Sequence, residues 1–210
     1  MPTGIIKIST RYLKFPERIA VDPPNQTANN IEMEKIHIAQ SEKFGKLVEE
    51  LRKRDGSVIV FVKTKRGCDQ LAEKLHKKGF KVRAIHGDLK QAQRNNVLQD
   101  FRDENYRILI ATDVAARGLD VPHIEHVVNF DLPSVPEDYI HRIGRTARAG
   151  ASGNSLCFIA PDEADKWHDI QVMLDPKGDH GPRPPKGGHK SSSRPPRKNS
   201  GGKRGNNKGG

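Results

Sequence analysis

His141, Arg142, Ile143, Gly144, Arg145, Thr146, Ala147, Arg148, Ala149 and Gly150 follow one another and place three arginines within seven positions, beside a histidine. A guanidinium is permanently charged and presents a planar fork of donors that matches phosphate oxygens. Three of them on so short a segment repel one another unless an anion lies between them; a solvated basic helix face is the plain alternative. Upstream, Ile108 to Ala111 is an apolar run of the kind a buried parallel strand shows, and the chain turns polar at Thr112 and Asp113. Ligands of open α/β sheets gather at the carboxyl ends of strands, where this turn falls. Thr112 offers a hydroxyl, Arg117 a charged fork, and Gly118 a backbone that a ligand can approach closely. Asp113 reads equally well as a structural cap.

The elements that must position these groups alternate along the chain. Ser41 can cap a helix whose Phe44, Leu47, Val48 and Leu51 share one face. Val58 to Val62 reads as a strand, 65–78 as a helix ending at Gly79, Lys81 to Ile85 as a strand, and Lys90 to Arg102 as a helix with Val97, Leu98 and Phe101 inward. Strands follow at 107–111, 124–130 and 154–160. Ser134, Val135, Pro136 and Glu137 spell a capping box that opens the helix carrying the arginine run, and Gly144 leaves the end of that helix open. Such alternation calls for a parallel sheet with helices on both faces.

The run Ala111-Thr112-Asp113-Val114-Ala115-Ala116-Arg117-Gly118-Leu119-Asp120 resembles motif V of the DEAD-box RNA helicases, and His141 to Arg148 resembles their motif VI. Val58 to Lys65 is similar to motif IV, and His86-Gly87-Asp88 with Gln91 and Arg94 to motif IVa. All four stand in family order, and the likeness extends to about Leu174. It implies an α/β RecA-like parallel sheet with helices on both faces, the helicase C-terminal domain, followed by a disordered basic tail. In that family ATP with Mg2+ lies between two RecA-like domains. The resemblance makes Arg145 and Arg148 catalytic groups reaching the terminal phosphate, with Arg145 as the main arginine finger. Gly118 and Asp120 would face the nucleotide ribose, and His141 and Arg142 would couple to acids of the other domain. Thr64, Arg66, Gly87, Gln91, Arg94, Thr112 and Arg117 become candidates for RNA-backbone contacts; Arg66 could be a plain solvated helix start and Gln91 a surface residue.

No phosphate-cradling loop of the form G-x-x-x-x-G-K-[ST] occurs in the sequence. Asp162-Glu163-Ala164-Asp165 spells the family's name but follows the motif VI segment and comes after Pro161, so it reads as the first turn of a terminal helix rather than as a metal site. Residues 1–22 resemble the end of the family's first domain, so the resemblance implies a helicase truncated just after motif III, with a native N-terminal extension as the alternative. Residues 23–40 then read as the interdomain linker, 41–174 as the RecA-like domain and 175–210 as a disordered tail. The apolar Ile5, Ile6, Ile8, Leu13, Ile19 and Val21 of the first stretch are expected to be loosely docked or aggregation-prone.

Net charge is +11, and the tail after Asp175 holds six Lys and four Arg against one Asp, so the remainder is nearly neutral. The tail has no aromatic or large aliphatic residue after Leu174 and cannot bury enough apolar surface to order itself. A polycation of this kind tethers RNA by counterion release without reading bases. Cys68 and Cys157 have no metal-ligand spacing and read as reduced core thiols of a cytoplasmic protein, with no signal peptide or membrane span. The expected partners are therefore RNA, ATP and a complementary first domain, with no membrane and no metal held by this chain. A stand-alone, non-catalytic RNA-binding module is the alternative, and a DNA-directed relative a third. Without the first domain, ATP turnover is expected to be absent.

Overall fold

Val58–Phe61, Ile108–Ala111 and His126–Asn129 are short and almost wholly apolar, and all but half-buried His126 are buried. Such segments are stable only as inner strands of a parallel sheet covered on both faces. A computed structural model of the protein, which describes residues 31–117, 124–146 and 152–185, shows that sheet. In chain order the elements are β1 (Ile31–His37), α1 (Lys43–Lys53), β2 (Val58–Phe61), α2 (Lys65–His76), β3 (Val82–Ile85), α3 (Gln91–Arg102), β4 (Ile108–Ala111), α4 (Asp113–Ala116), β5 (His126–Asn129), α5 (Pro136–Ile143), β6 (Gly153–Ile159), a 3-10 turn at Pro161–Glu163, and α6 (Ala164–Leu174). The six strands lie in the order β1-β6-β5-β2-β4-β3, every neighbouring pair parallel.

Alternate side chains of each strand go to opposite faces. On one face Val58, Val60, Ile108, Ile110, Leu156 and Phe158 pack against Leu47 and Leu51 of α1 and Cys68, Leu71 and Leu75 of α2. The other face carries Ile59, Phe61, Leu109 and Ala111 under Val97 and Phe101 of α3 and Ala115 of α4. Farther along it, Cys157 and Ile159 meet Tyr139 and Ile143 of α5 and Ile170 of α6. Register brings the carboxyl ends to one level: Phe61 pairs with Ala111 and Asn129, Ile85 with Ala111, and Asn129 with Cys157. The polar residues that follow these ends form one rim.

Several sequence expectations are corrected at the element ends. Ser41 does not cap α1: Glu42 precedes it and makes no side-chain cap. The capping box at Ser134 and Glu137 does not form, because Pro136 opens α5 and puts Val135, without a capping side chain, at the boundary. Residues 31–37, assigned to a linker, are edge strand β1, whose alternating acids and apolar residues leave most of it exposed. Residues 175–185, assigned to the tail, are among the described residues: Arg183 pairs with Asp169 at 2.5 Å and His180 Nε2 lies 2.6 Å from the Asp175 carbonyl oxygen. Residues 1–30 and 186–210, with the expectations placed on them, lie outside the described residues. No helix among the described residues is long and apolar enough to cross a membrane.

The Asp162–Asp165 tetrad has a structural use. Glu163 is buried; it accepts from Lys43 Nζ at 2.6 Å, the Leu132 amide at 3.1 Å and the Ala160 amide at 3.3 Å. Lys43, wholly buried, also donates to the Phe130 carbonyl at 2.9 Å. One carboxylate thus ties the ends of β5 and β6 to the start of α1.

Candidate functional site

Two helices that carry the chemistry-bearing residues stand side by side on the rim. The four-residue α4 begins at Asp113 and is followed by Arg117; α5 carries Asp138 in its first turn and Arg142 in its last. Four residues make about one helical turn, so each pair projects from a single face. The helices meet with signs crossed. Arg142 donates from Nε to Asp113 Oδ1 at 2.6 Å and from Nη2 to Asp113 Oδ2 at 2.8 Å. At the other end, Arg117 Nη2 bonds to Asp138 Oδ1.

Arg142 is the more enclosed partner, with a side chain only 2% exposed. Its Nη1 donates to Asn129 Oδ1 at 3.0 Å and to the Asp131 carbonyl at 2.6 Å, and its guanidinium carbon lies 4.8 Å from the centre of the Phe61 ring. Each nitrogen of the fork therefore has a partner within this domain. These contacts fix α4 on α5 and both on the strand ends, while the coupling to a second domain expected of Arg142 belongs to the functional proposal. His141, on the same helix, is exposed.

Phe61, Asp113, Ala116, Arg117, Asp138, His141, Arg142 and Arg145 line a shallow recess. Arg145 bends back, its Nε donating to the His141 carbonyl at 3.2 Å. Three arginines against two aspartates give this lining a net positive formal charge. Gly118, Asp120 and Arg148 lie outside the described residues. Among the described residues no cluster of His, Cys, Asp and Glu could hold a metal ion.

The remaining candidates occupy the rim toward β3. Thr64 caps α2, accepting from the Gly67 amide at 3.0 Å, and Arg66 is exposed in the first turn. That turn is joined to the β3–α3 loop twice: Lys65 Nζ to Asp88 Oδ1 at 2.5 Å, and Asp69 Oδ1 to His86 Nε2 at 2.9 Å. Gly87 is exposed within this loop, and Gln91, also exposed, donates to Asn95 at 2.9 Å. Arg94 reaches across to the Ala115 carbonyl of α4 at 3.3 Å. Thr112, buried, bonds through its amide to the Ile85 carbonyl at 3.4 Å. Thr64, Arg66, Gly87, Gln91, Arg94 and Thr112 so form one continuous stretch, whereas Arg117 sits with Arg142 and Arg145 in the recess.

Sequence reasoning did not single out Asp138, Asn129, Asp131 or Asp69, and quoted His86 only within the motif IVa segment. The first had a readable signal, since the acid-then-arginine spacing at 113/117 recurs in the same order at 138/142. The thiols take no part: burial, then the charges of Asp69, Asp131 and Asp113, pushes Cys68 up to about 12, and burial followed by the Glu163 charge does the same for Cys157.

The Helicase conserved C-terminal domain family matches residues 42–150. The chain is 43% identical over 172 residues to the DEAD-box ATP-dependent RNA helicase CshA of Geobacillus kaustophilus, an overlap of 81% of this chain and 37% of that protein. A DEAD box protein from the hyperthermophile Methanococcus jannaschii superimposes with a TM-score of 0.67 at 39% identity, covering 83% of this chain and 47% of that one. Dbp5 of S. cerevisiae, solved bound to RNA and ADP BeF3, gives a TM-score of 0.70 at 30% identity, with coverage of 83% and 47%. The chain thus spans less than half the length of these helicases.

Proposed function

Since the chain belongs to the DEAD-box RNA helicases, matching their C-terminal RecA-like domain, we propose that it serves as the C-terminal half of an ATP-dependent RNA helicase. In this reading ATP binding and hydrolysis drive separation of short RNA duplexes. The observation that carries it is the recess, where Arg145 stands beside a motif V helix locked by Asp113 and Arg142.

ATP with Mg2+ supplies the driving reaction when bound between this domain and a complementary first domain, which would provide the phosphate-cradling loop and the metal ligands. Arg145 and Arg148 would hold the terminal phosphate from this side, and Gly118 and Asp120 the ribose. His141 and Arg142 would couple to acids of the first domain. On the RNA side, Thr64, Arg66, Gly87, Gln91, Arg94 and Thr112 would contact phosphates and 2′-hydroxyls along one stretch of rim, with Arg117 at its recess end. None is an aromatic platform, which suits binding without sequence choice. A cytoplasmic setting belongs to the same reading.

The test is RNA-stimulated ATP turnover by the purified chain with and without the first domain of a related helicase. Turnover is expected only with both halves. Arg145→Ala should lower it by about 10³-fold or more, the range of an arginine finger. Full activity of the chain alone, or an Arg145→Ala variant as active as the parent, would refute the assignment.

A further inference from the structure

The two ion pairs that join α4 and α5 are built alike but differ in burial. The arginine of the inner pair is 2% exposed and its aspartate 24%; in the outer pair the Arg117 side chain is 60% exposed and that of Asp138 14%. The inner guanidinium has four acceptors around it, so opening it strands charge in a covered place. The outer guanidinium stands mostly in water, where an ion pair is weak.

The backbone beneath Arg117 is fixed independently. Asp113 is held by Arg142, the Ala115 carbonyl by Arg94, and Ala115 and Ala116 are buried. Arg117 can therefore leave Asp138 by turning its side chain alone, with no repacking of α4. Asp138 cannot follow, because it is largely covered. Its charge is tolerated in the first turn of α5, where the amides favour an anion.

Resting on the proposed reading, we infer that Asp138 is an exchangeable counter-ion for Arg117: it occupies the guanidinium in the free domain and yields it to an arriving phosphate group. The contact is self-inhibitory, since phosphate must compete with a carboxylate of the same domain. The phosphate can come from the RNA backbone or from the nucleotide, both of which present the same oxygens.

The experiment measures binding of fluorescein-labelled decauridylate by anisotropy, and of inorganic pyrophosphate by calorimetry, to the full chain at low salt. Asp138→Asn should tighten binding of at least one probe roughly two- to five-fold, the strength of an exposed ion pair. Glu137→Gln removes the same charge one residue away on the exposed side of α5 and should leave affinity near the parent value. Adding Arg117→Gln to Asp138→Asn should erase the gain. Tightening of decauridylate assigns the exchange to RNA, and of pyrophosphate alone to nucleotide. If Asp138→Asn melts early, Asp138→Ser, which keeps an oxygen in the first turn, replaces it. A parent chain and variants that all ignore decauridylate would count against the RNA reading, while the pyrophosphate arm still reports on the exchange. No tightening in either arm, or equal tightening by Glu137→Gln, overturns the exchange.

Discussion

Arg142 and Asp113 meet fork against fork, Nε to Oδ1 at 2.6 Å and Nη2 to Oδ2 at 2.8 Å, and this contact welds the motif V helix to the motif VI helix. A helix of one turn has no stability of its own, so α4 owes its place to its partners.

Arg142→Ala is accordingly expected to destabilise the domain by about 3 kcal/mol or more, because the Asp113 and Asn129 side chains and the Asp131 carbonyl lose their donor together. Arg142→Lys should recover only part of this, as an ammonium cannot fill a two-pronged site. Urea unfolding monitored by circular dichroism gives both values; a loss below about 1 kcal/mol for the alanine variant would mean that α4 is held by other means.

Two helical glycines should respond in opposite directions. A methyl at Gly45 in α1 meets nothing within 4 Å, so Gly45→Ala should stabilise by about 0.5–1 kcal/mol through backbone entropy. At Gly67 in α2 the same methyl would sit 2.9 Å from both Thr64 Oγ1 and Val62 Cγ1, pressing on the cap itself. Gly67→Ala should lower the melting temperature despite alanine's helix preference. Equal shifts of the same sign in the two variants would contradict this.

Glu163→Ala should cost about 3–5 kcal/mol by leaving Lys43 charged and covered without a carboxylate. Asp162→Ala, on the exposed neighbour, should stay within about 0.5 kcal/mol. Chemical denaturation of the two variants separates a buried tie from a surface acid. Indistinguishable midpoints would remove the role given to Glu163.

Acid should weaken the end of α1. Burial alone would raise the Glu50 carboxyl, but hydrogen bonds from Arg54, Lys53 and Lys46 outweigh it and hold the group down at about 2. A carboxyl lowered from 4.5 contributes stability that is complete above that pH and fades as pH falls toward 2. Glu50→Gln should therefore flatten the decline of melting temperature between pH 5 and pH 2 (approximate bounds of the transition). A parallel decline in parent and variant would place the acid sensitivity elsewhere.

The sheet was legible because its strands are short apolar runs separated by helical periodicity, and β2, β3 and β4 fall where the pattern puts them. β1 was not, since an edge strand with charged alternate residues looks like a linker until its neighbour is known. The arginine run was legible as a dense cationic segment, yet sequence could not divide its members. Arg142 and Arg145 are one turn apart with the same chemistry. Only the positions of Asp113, Asn129 and Phe61, all distant in sequence, turn the first into an anchor. The capping errors at Ser41 and Ser134 share a cause: a good capping residue one position outside the helix makes no bond.

Both native thiols are covered and held at about 12, out of reach of maleimides at neutral pH. The chain is therefore a blank background for labelling. A single cysteine introduced at Val114, which is 75% exposed on α4, would carry a fluorophore beside the paired arginines without any need to delete Cys68 or Cys157.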